Sequence, residues 1–325
     1  SLAEAMLFCA GEIDRMGKVG DGNTVTDFDP EEVARHYSVS LAAANIYYHD
    51  TKINILDTPG YPDFVGEELQ GIRAADAAVI MVDGKGGAEV GTELAWEYCD
   101  RQGLPRVFFV NKCDDPESNF DRVLTQLKDK FGIRVCPAMV PVDHKGKKTF
   151  ISLAERMAYT FDERGKRSED PMDDELRAVV DKYTQQFNEA IAETSDELME
   201  KFFAGETFTR EEIIKALNSG VSDGSVIPVY ACAGYTCEAI DMLLDEIVYS
   251  APSAADKAGE NGLPCDENGP LAAICFKTIA DPFVGKMSFF KVVSGKITAD
   301  TPAYNSRTEE SERMGKIITL KGSKQ

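Results

Sequence analysis

The spacing of apolar and polar residues along this 325-residue chain changes character several times. It first predicts a helix and then two β-rich runs that flank a short polar turn as in a hairpin, at 2–10, 45–48 and 52–56. Strands and helices then alternate at 77–82, 90–101, 106–110 and 119–130. Continuous apolar runs such as 78–82 and 107–110 are typical of strands buried on both faces. We therefore predict an α/β fold with a doubly wound, mostly parallel sheet.

Between about 143 and 225 the chain becomes charged and amphipathic, which predicts helices. One apolar stripe recurs at three- and four-residue spacing: Leu176, Val180, Tyr183, Phe187 and Ile191. Thr194 and Thr209 each stand three residues before a glutamate, the capping-box pattern that begins a helix, and Gly205 is expected to end the first of these two helices. We interpret the segment as an inserted helical subdomain; extra helices of the same core are the alternative.

A strand at 226–230 and a helix at 238–248 complete the α/β pattern and predict a first domain over 1–250. Residues 251–270 are rich in Pro, Gly and small polar residues, which indicates a linker. Strands are then predicted at 271–279, 286–293 and 316–320. Because the segment 271–325 is too short for a barrel of ordinary size, we expect it to be the start of a β-barrel domain, truncated at Gln325.

Composition narrows the function classes. Acidic residues outnumber basic ones by 56 to 35, a net charge of −21, which opposes coating a long stretch of nucleic acid while leaving local RNA contact open. Solubility is the simpler interpretation of that charge. No apolar run approaches the roughly 18 residues of a membrane span and the start has no secretory pattern, so we expect a cytoplasmic protein. The eight cysteines form no C-x-x-C pair, which favours reduced thiols over disulfides or zinc.

The sequence Asn111-Lys112-Cys113-Asp114 directly follows a predicted buried strand and carries the most specific chemistry of the chain. An aspartate at position 114 can accept paired hydrogen bonds from the N1–H and the exocyclic amine of guanine. The stem of Lys112 can lie along the purine, while Asn111 ties the loop down. Adenine offers no such pair of donors, so the pattern favours a guanine site.

A second motif, Asp57-Thr58-Pro59-Gly60, follows the second strand of the predicted hairpin. Its carboxylate is placed to hold Mg²⁺ through water, and the N–H of Gly60 can approach a terminal phosphate. The tetrad alone is common by chance, but its place two α/β units before Asn111 makes it informative. The glycine-rich turn 84–87 matches neither phosphate-binding glycine pattern. Trp96 and Tyr98, on the next helix, are interpreted as packing residues.

Together with the loop Ala231-Cys232-Ala233-Gly234, these motifs resemble the P-loop GTPases, specifically the translation factors of the elongation factor G type. The resemblance covers essentially the whole chain, through 2–7, 22–27, 53–60, 82–84, the helical insert, 276–277 and 281–285. It implies a P-loop GTPase-type fold, GTP and GDP as ligands with Mg²⁺, and GTP hydrolysis coupled to ribosomal translocation. It also implies the ribosome as partner, a monomer, and no association with membranes.

The resemblance assigns further residues. Ser38 takes the position of the family's first-switch threonine, whose hydroxyl coordinates Mg²⁺; an ordinary polar loop residue is the alternative. Ala233 and Gly234 stand where the family has Ser-Ala, whose backbone N–H groups touch the guanine oxygen. Gly60 and Tyr61 are the expected catalytic residues.

Two features depart from the family. The glycine-rich phosphate loop is expected before Ser1, so the chain as written should bind nucleotide poorly. Tyr61 stands where the family has a histidine that positions the attacking water. Because a phenol with an ordinary pKa of about 10 accepts protons poorly at neutral pH, we hypothesise slow GTP turnover.

Two alternatives stay open within the resemblance: a ribosome-associated paralogue that binds GTP with little hydrolysis, and a ribosome-protection factor. A Rossmann dehydrogenase, the remote alternative, would need G-x-G-x-x-G after its first strand, and the sequence has none. The ribosomal step and the content of segments outside the chain are not determined by the sequence.

Overall fold

The computed structural model describes residues 2–257, 263–281 and 285–324. Within these ranges the helices are α1 (Leu2–Cys9), α2 (Pro30–Arg35), α3 (Val65–Ala74), α4 (Val90–Gln102), α5 (Phe120–Phe131), α6 (Asp174–Ala192), α7 (Asp196–Phe203), α8 (Arg210–Asp223) and α9 (Ile240–Ser250). The strands are β1 (Ala42–Tyr48), β2 (Thr51–Asp57), β3 (Ala78–Asp83), β4 (Arg106–Asn111), β5 (Val135–Pro137), β6 (Met139–His144), β7 (Lys147–Ser152), β8 (Met157–Phe161), β9 (Arg167–Asp170), β10 (Ile227–Ala231), β11 (Ala272–Asp281), β12 (Gly285–Ser294), β13 (Pro302–Asn305) and β14 (Glu310–Arg313). No helix in the described ranges combines the length and apolarity that crossing a bilayer demands.

A four-stranded parallel sheet in the order β3-β4-β10-β5 forms the core. Strand β4 is buried over all but its last residue, as its continuous apolar run predicts, and β10 is buried along its whole length. The run 78–82 predicted the same for β3, but β3 lies at the edge of this sheet and only Ile80 and Val82 are buried in it. Phe108 of β4 packs against Trp96 of α4 and Phe131 of α5, at centroid distances of 5.8 and 5.4 Å. Burying one such ring contributes roughly 1.5–3 kcal/mol. The predicted α/β fold class is confirmed, and Trp96 is a packing residue.

The predicted hairpin is confirmed as β1 and β2, which pair antiparallel along their whole length. Its turn residues His49 and Asp50 both have positive φ, 45° and 58°, as a tight two-residue hairpin turn requires. In the described part of the chain, the hairpin shares no ladder with the parallel sheet. The hydroxyl of Tyr48 instead donates to Asp245 of α9 at 3.0 Å.

The expectation of helices over 143–225 is correct only for its second part. Residues 139–170 form an antiparallel sheet in the order β6-β7-β8-β9, and helices begin at Asp174. Residues 149–152 of β7 are all buried, and the exposed charges of this segment lie mainly at its turns and strand ends, which gives the sequence an amphipathic pattern without a regular strand period. The structure has a tight turn at Lys145 and Gly146, both with positive φ. The glycine of this turn was the signal in the sequence that could have indicated a hairpin.

One of the two predicted helix starts is displaced by a residue. Helix α7 is capped by Ser195, whose hydroxyl accepts the N–H of Leu198 at 3.3 Å. The hydroxyl of Thr194 donates backwards to the Ile191 carbonyl at 2.8 Å, so it belongs to the end of α6. The capping box at Thr209 is confirmed, and Gly205 follows the end of α7 with φ of 73°.

The final segment contains two hairpins. Strands β11 and β12 pair antiparallel as predicted, and Pro282, Phe283 and Val284 between them lie outside the described residues, as does part of the predicted linker. The strand predicted at 316–320 is wrong, because no neighbouring strand in the described ranges pairs with it. Strands β13 and β14 form instead at more polar positions. Closure of these hairpins into a barrel stays a prediction.

Candidate functional site

The predicted site residues fall into two groups. The base half consists of residues 111–114 and 231–238, which follow β4 and β10; these strands are parallel neighbours, with Val110 opposite Ala231. The phosphate half consists of residues 26–27, 37–41 and 57–61, which surround the end of β2. Carboxyl ends of parallel strands are the usual ligand-binding edge of such sheets.

Hydrogen bonds tie the two loops of the base half together. The Asn111 carbonyl oxygen Oδ1 accepts the N–H of Gly234 at 2.9 Å, and the N–H of Cys113 donates to the Cys232 carbonyl at 3.1 Å. A Cβ added at Gly234 would lie only 3.3 Å from Asn111 Oδ1, so a glycine suits this close approach. The predicted tethering role of Asn111 therefore has a geometric basis.

Lys112 is held by a carboxylate at the end of the adjacent strand. Its backbone is left-handed, with φ of 61°, and its Nζ donates to Asp83 Oδ2 at 2.5 Å. Asp83 also accepts the N–H groups of Lys85 and Gly86, at 2.8 and 2.9 Å. Burial opposes ionisation, but Lys112 and these two N–H groups outweigh it and hold the pKa of Asp83 below its usual range. The anchored ammonium leaves the lysine stem to form one wall of the site.

Asp114 is exposed and, among the residues that the structure describes, its carboxylate has no hydrogen-bond or ion-pair partner. Burial and the nearby charge of Asp114 raise the pKa of Glu238. An unpaired carboxylate beside a second acid fits a ligand that brings N–H donors.

The backbone N–H groups of Ala233 and Gly234 are already engaged. Ala233 donates to the Glu238 carbonyl at 3.0 Å, and Gly234 donates to Asn111. In this structure both groups fix the shape of the loop and do not face an open site.

In the phosphate half, the Ser38 hydroxyl donates to Asp27 Oδ1 at 2.6 Å. Burial raises the pKa of Asp57 to about 6; the Thr26 hydroxyl opposes the shift, and the charge of Asp27 adds to it. Ser38 and Asp57 thus lie near the same carboxylate. Asp27 was missed as a site residue, although it lies in the segment 22–27 that carries part of the resemblance.

The donor atoms of the phosphate half suit Mg²⁺. Asp57, Asp27, Ser38 and Thr26 all supply oxygen, the ligand that this hard cation prefers. The Thr26 hydroxyl is buried and makes no hydrogen bond of ordinary geometry within the described residues. In the same ranges, no three or more His, Cys, Asp or Glu side chains form a complete metal cluster. That also fits Mg²⁺, which usually takes one or two carboxylates and completes its shell with water and phosphate.

A cavity of about 740 Å³ opens on the phosphate half and is lined by Ser38, Gly60 and Tyr61 together with Asp27 and residues 89–91. The Tyr61 side chain is exposed, and its ring packs on Tyr37 at a centroid distance of 4.6 Å. None of the base-half residues predicted from the sequence lines this cavity.

The two halves are joined through the segment 83–91 between β3 and α4. Asp83 at its start binds Lys112 of the base half. At its other end, a Cβ at Gly91 would lie 3.5 Å from the Gly60 carbonyl oxygen of the phosphate half. Both halves therefore lie at the carboxyl edge of the sheet.

A buried lysine from β11 anchors the phosphate half. Lys277 is 6% exposed, and its Nζ donates to Ser40 Oγ at 2.6 Å, the Leu41 carbonyl at 2.7 Å and Glu67 Oε2 at 2.6 Å. Glu67, on α3, also accepts the N–H of Leu41 at 2.7 Å. Burial raises the pKa of Glu67, but Lys277 and the Leu41 N–H outweigh it and keep that pKa below its usual range. Beyond the resemblance at 276–277, no sequence signal indicated this contact.

A nucleotide-binding α/β domain with these two loop groups defines a GTPase of the translation-factor class, and the comparisons with known proteins agree. The family model for the elongation factor Tu GTP binding domain matches residues 1–253, and this chain belongs to that family. A crystal structure of a protein from Thermus thermophilus is similar at a TM-score of 0.87 and 31% sequence identity. The match covers 99% of this chain but 47% of that one, so this chain spans less than half of that protein's length. The predicted resemblance is confirmed at the level of a translation GTPase.

Proposed function

We propose that this protein binds GTP and GDP with Mg²⁺ and hydrolyses GTP to GDP and phosphate on the ribosome, coupling hydrolysis to translocation as elongation factor G does. The observation that carries the proposal is the unpaired Asp114 carboxylate beside a loop held by Asn111. Guanine supplies the two N–H donors that such a carboxylate accepts. Adenine supplies no equivalent pair.

Each base-half residue has a distinct role in this proposal. Asp114 reads the guanine edge, and the stem of Lys112 lies along the purine while Asp83 holds its ammonium. Asn111 fixes the neighbouring loop through Gly234. The N–H groups of Ala233 and Gly234 donate to other groups of the protein, so we assign these residues a role in shaping the pocket. For either N–H group to bind the guanine oxygen, its present hydrogen bond would have to break.

In the phosphate half, Asp57, through water, and the Ser38 hydroxyl would hold Mg²⁺, for which Ser38 would have to release its hydrogen bond to Asp27. Bound Mg²⁺ neutralises charge that develops on the phosphate oxygens. The N–H of Gly60 approaches the terminal phosphate. GTP would order the segments around Ser38 and Gly60, and hydrolysis would release them.

The second candidate function is a ribosome-associated protein that holds GTP with little hydrolysis, and Tyr61 is the observation that favours it. Tyr61 is 54% exposed at the mouth of the cavity, where its phenol can shield or orient water but accepts a proton poorly. Slow turnover is expected under either function.

We further propose a GTP-binding domain over 1–250, a linker over 251–270 and part of a second, barrel-type domain over 271–325. The insert proposed at about 143–225 contains most of the antiparallel sheet β6–β9, whose first strand already starts at Met139. A cytoplasmic monomer with the ribosome as partner is consistent with the net charge of −21 if RNA contact is local.

The test is nucleotide affinity of the full-length protein, GTP against ATP, followed by phosphate release with and without ribosomes. We expect at least 100-fold preference for GTP, since two lost hydrogen bonds to a charged group cost about 3 kcal/mol or more. Equal affinity for ATP would reject the guanine site. Binding without ribosome-stimulated hydrolysis would favour the second candidate, and a translocation assay separates translocation from other ribosomal steps.

A further inference from the structure

Two cysteines, Cys9 of α1 and Cys237 of the base half, lie close together beside Gly165. Cys9 ends α1, and Cys237 lies in the loop 233–239 that follows β10. A Cβ placed on Gly165 would lie 2.8 Å from Cys9 Sγ and 3.0 Å from Cys237 Cβ, so both cysteines border one point. Residue 165 is a glycine with φ of 73°, so it places no side chain of its own between them. The Cys9 thiol points to the Arg164 carbonyl at 4.0 Å and the Cys237 thiol to Met16 Sδ at 3.5 Å, and the two thiols are close enough to shift each other's pKa in opposite directions.

The two cysteines differ in how readily their thiols ionise. The neighbouring Cys9 thiol holds the pKa of the Cys237 thiol below its usual value, while Cys237 and burial raise the pKa of Cys9. Cys237 is therefore the thiol of the pair that ionises more readily, and the thiolate is the reactive form of a cysteine. Cys237 is buried, whereas Cys9 is partly exposed, so a small oxidant can reach the pair from the side of Cys9.

The other cysteines differ from this pair. Burial raises the pKa of Cys99 to about 11, and those of Cys113 and Cys136 to about 12, which keeps these thiols protonated and inert. Cys265 and Cys275 are exposed. They provide matched controls for oxidation that depends on exposure alone.

The loop that carries Cys237 belongs to the base half and is hydrogen-bonded to Asn111. Cys237 and Ala239 both have positive φ, 63° and 62°, which is strained for residues with a Cβ. Ala233 and Glu238 close the loop with reciprocal backbone hydrogen bonds of 3.0 Å. Gly234 in the same loop bonds Asn111. A displacement of Cys237 is therefore expected to move Gly234 and its hydrogen bond to Asn111.

We propose that Cys9 and Cys237 are a reversible oxidation site, in which a hydroperoxide joins them in a disulfide that pins the loop 233–239 to α1. The Cys237 thiolate attacks one peroxide oxygen, the O–O bond breaks, and the leaving oxygen takes up a proton as water or alcohol. The Cys9 sulfur then attacks the Cys237 sulfenic acid, and its thiol proton leaves with the hydroxyl as a second water. Two thiols and one hydroperoxide give one disulfide, water, and a water or alcohol.

The functional consequence rests on the proposed guanine site. A disulfide brings the sulfurs to about 2.05 Å, closer than two unbonded thiols, so Cys237 must move toward α1. The displacement strains the Gly234–Asn111 hydrogen bond. We expect the oxidised protein to bind GDP about tenfold more weakly, the effect of losing roughly one hydrogen bond.

The experiment treats the full-length protein with hydrogen peroxide, alkylates free thiols and maps peptides by mass spectrometry, before and after dithiothreitol. We expect a Cys9–Cys237 linked peptide that forms faster than any other linkage and disappears on reduction. Cys237→Ser and Cys9→Ser should each abolish it, while Cys265→Ser should not. Peroxide-treated wild-type protein with both thiols still open to alkylation after denaturation would overturn the proposal.

Titration of GDP into the reduced and oxidised protein tests the consequence. Tenfold weaker binding that dithiothreitol reverses, and that is absent in Cys237→Ser, supports the coupling. Linked peptide with unchanged GDP affinity would overturn the coupling. If the reduced protein binds no guanine nucleotide, the proposed function fails while the peptide map still decides the oxidation site.

Discussion

The base half and the phosphate half of the candidate site are built differently. The base half consists of loops that follow two adjacent buried strands, β4 and β10. Hydrogen bonds such as that from the Gly234 N–H to Asn111 join these loops. The phosphate half is built mainly of loops around a cavity of about 740 Å³, with a short helix, α2, between Asp27 and Ser38. Its firmest support, Lys277, comes from outside the α/β pattern. The base half is therefore held in one shape by its own hydrogen bonds, whereas the phosphate half depends on support from β11.

The largest effect is expected for Asp114→Asn, which converts the proposed acceptor pair for guanine into an amide. We expect GDP affinity to fall about 100-fold or more, since hydrogen bonds to a charged group contribute about 1.5–3 kcal/mol each. Fluorescence titration of the full-length protein measures it. Xanthosine diphosphate should bind this variant better than GDP, because the amide N–H can donate to the xanthine 2-carbonyl.

Asp115→Asn is the matched control for this change, since Asp115 is the next acid along the loop and keeps an oxygen for the N–H of Glu117. Its GDP affinity should stay within a few-fold of the wild type. If Asp114→Asn bound GDP as tightly as the wild type, the base half would not be a guanine site.

Lys277→Met tests whether the phosphate half depends on β11. Removing the ammonium takes the ion pair from Glu67, which keeps the Leu41 N–H, and removes the Lys277 donor from the Leu41 carbonyl, at a cost of about 1–3 kcal/mol in the free energy of unfolding. Hydrogen exchange should accelerate at the N–H of Leu41 but stay unchanged at Gly234. Lys291→Met, which removes a more exposed contact with Asp76, is the control and should cost about 1 kcal/mol or less. Equal losses for the two variants would contradict a special anchoring role.

Tyr61→His tests whether the phosphate half limits the rate of GTP hydrolysis. A histidine at this position can position and deprotonate water, so we expect ribosome-stimulated GTP hydrolysis to rise about tenfold; this is less than the roughly 100-fold of a full acid–base contribution because Tyr61 can already orient water. GTP affinity should not change, because the base half is untouched. Single-turnover phosphate release measures the rate, with Tyr61→Phe as the control that keeps the ring. Equal rates in wild type and Tyr61→His would reject the slow-turnover hypothesis.

The smallest effect concerns pH. The pKa of Glu67 is lower in the folded protein than its ordinary value of 4.5, so its stabilisation is complete above about pH 4.5 and is lost as pH falls through the lower folded value. Because Glu67 is partly exposed, the contribution is at most about 1 kcal/mol. Urea unfolding of wild type and Glu67→Gln should converge as pH falls toward 3. A difference that persisted at low pH would contradict the ion-pair origin.

Local patterns along the chain determined the fold class and most element positions. Continuous apolar runs identified β3 and β4 as strands, although only β4 is buried nearly throughout. The order of Asp57, Gly60, Asn111 and Asp114 after predicted strands indicated a guanine-nucleotide site without any coordinates. These features are readable because residues close in sequence carry them.

Only the tertiary structure decided what depends on distant partners. The sheet β6–β9 was missed because the charges at its turns and strand ends give the segment an amphipathic pattern. The segment 316–320 stayed unpaired because a strand forms only beside another. Asp27 beside Ser38, Lys277 on Glu67 and Cys9 near Cys237 join residues separated by 11, 210 and 228 positions. No spacing rule predicts such contacts, since chain folding alone brings these side chains together.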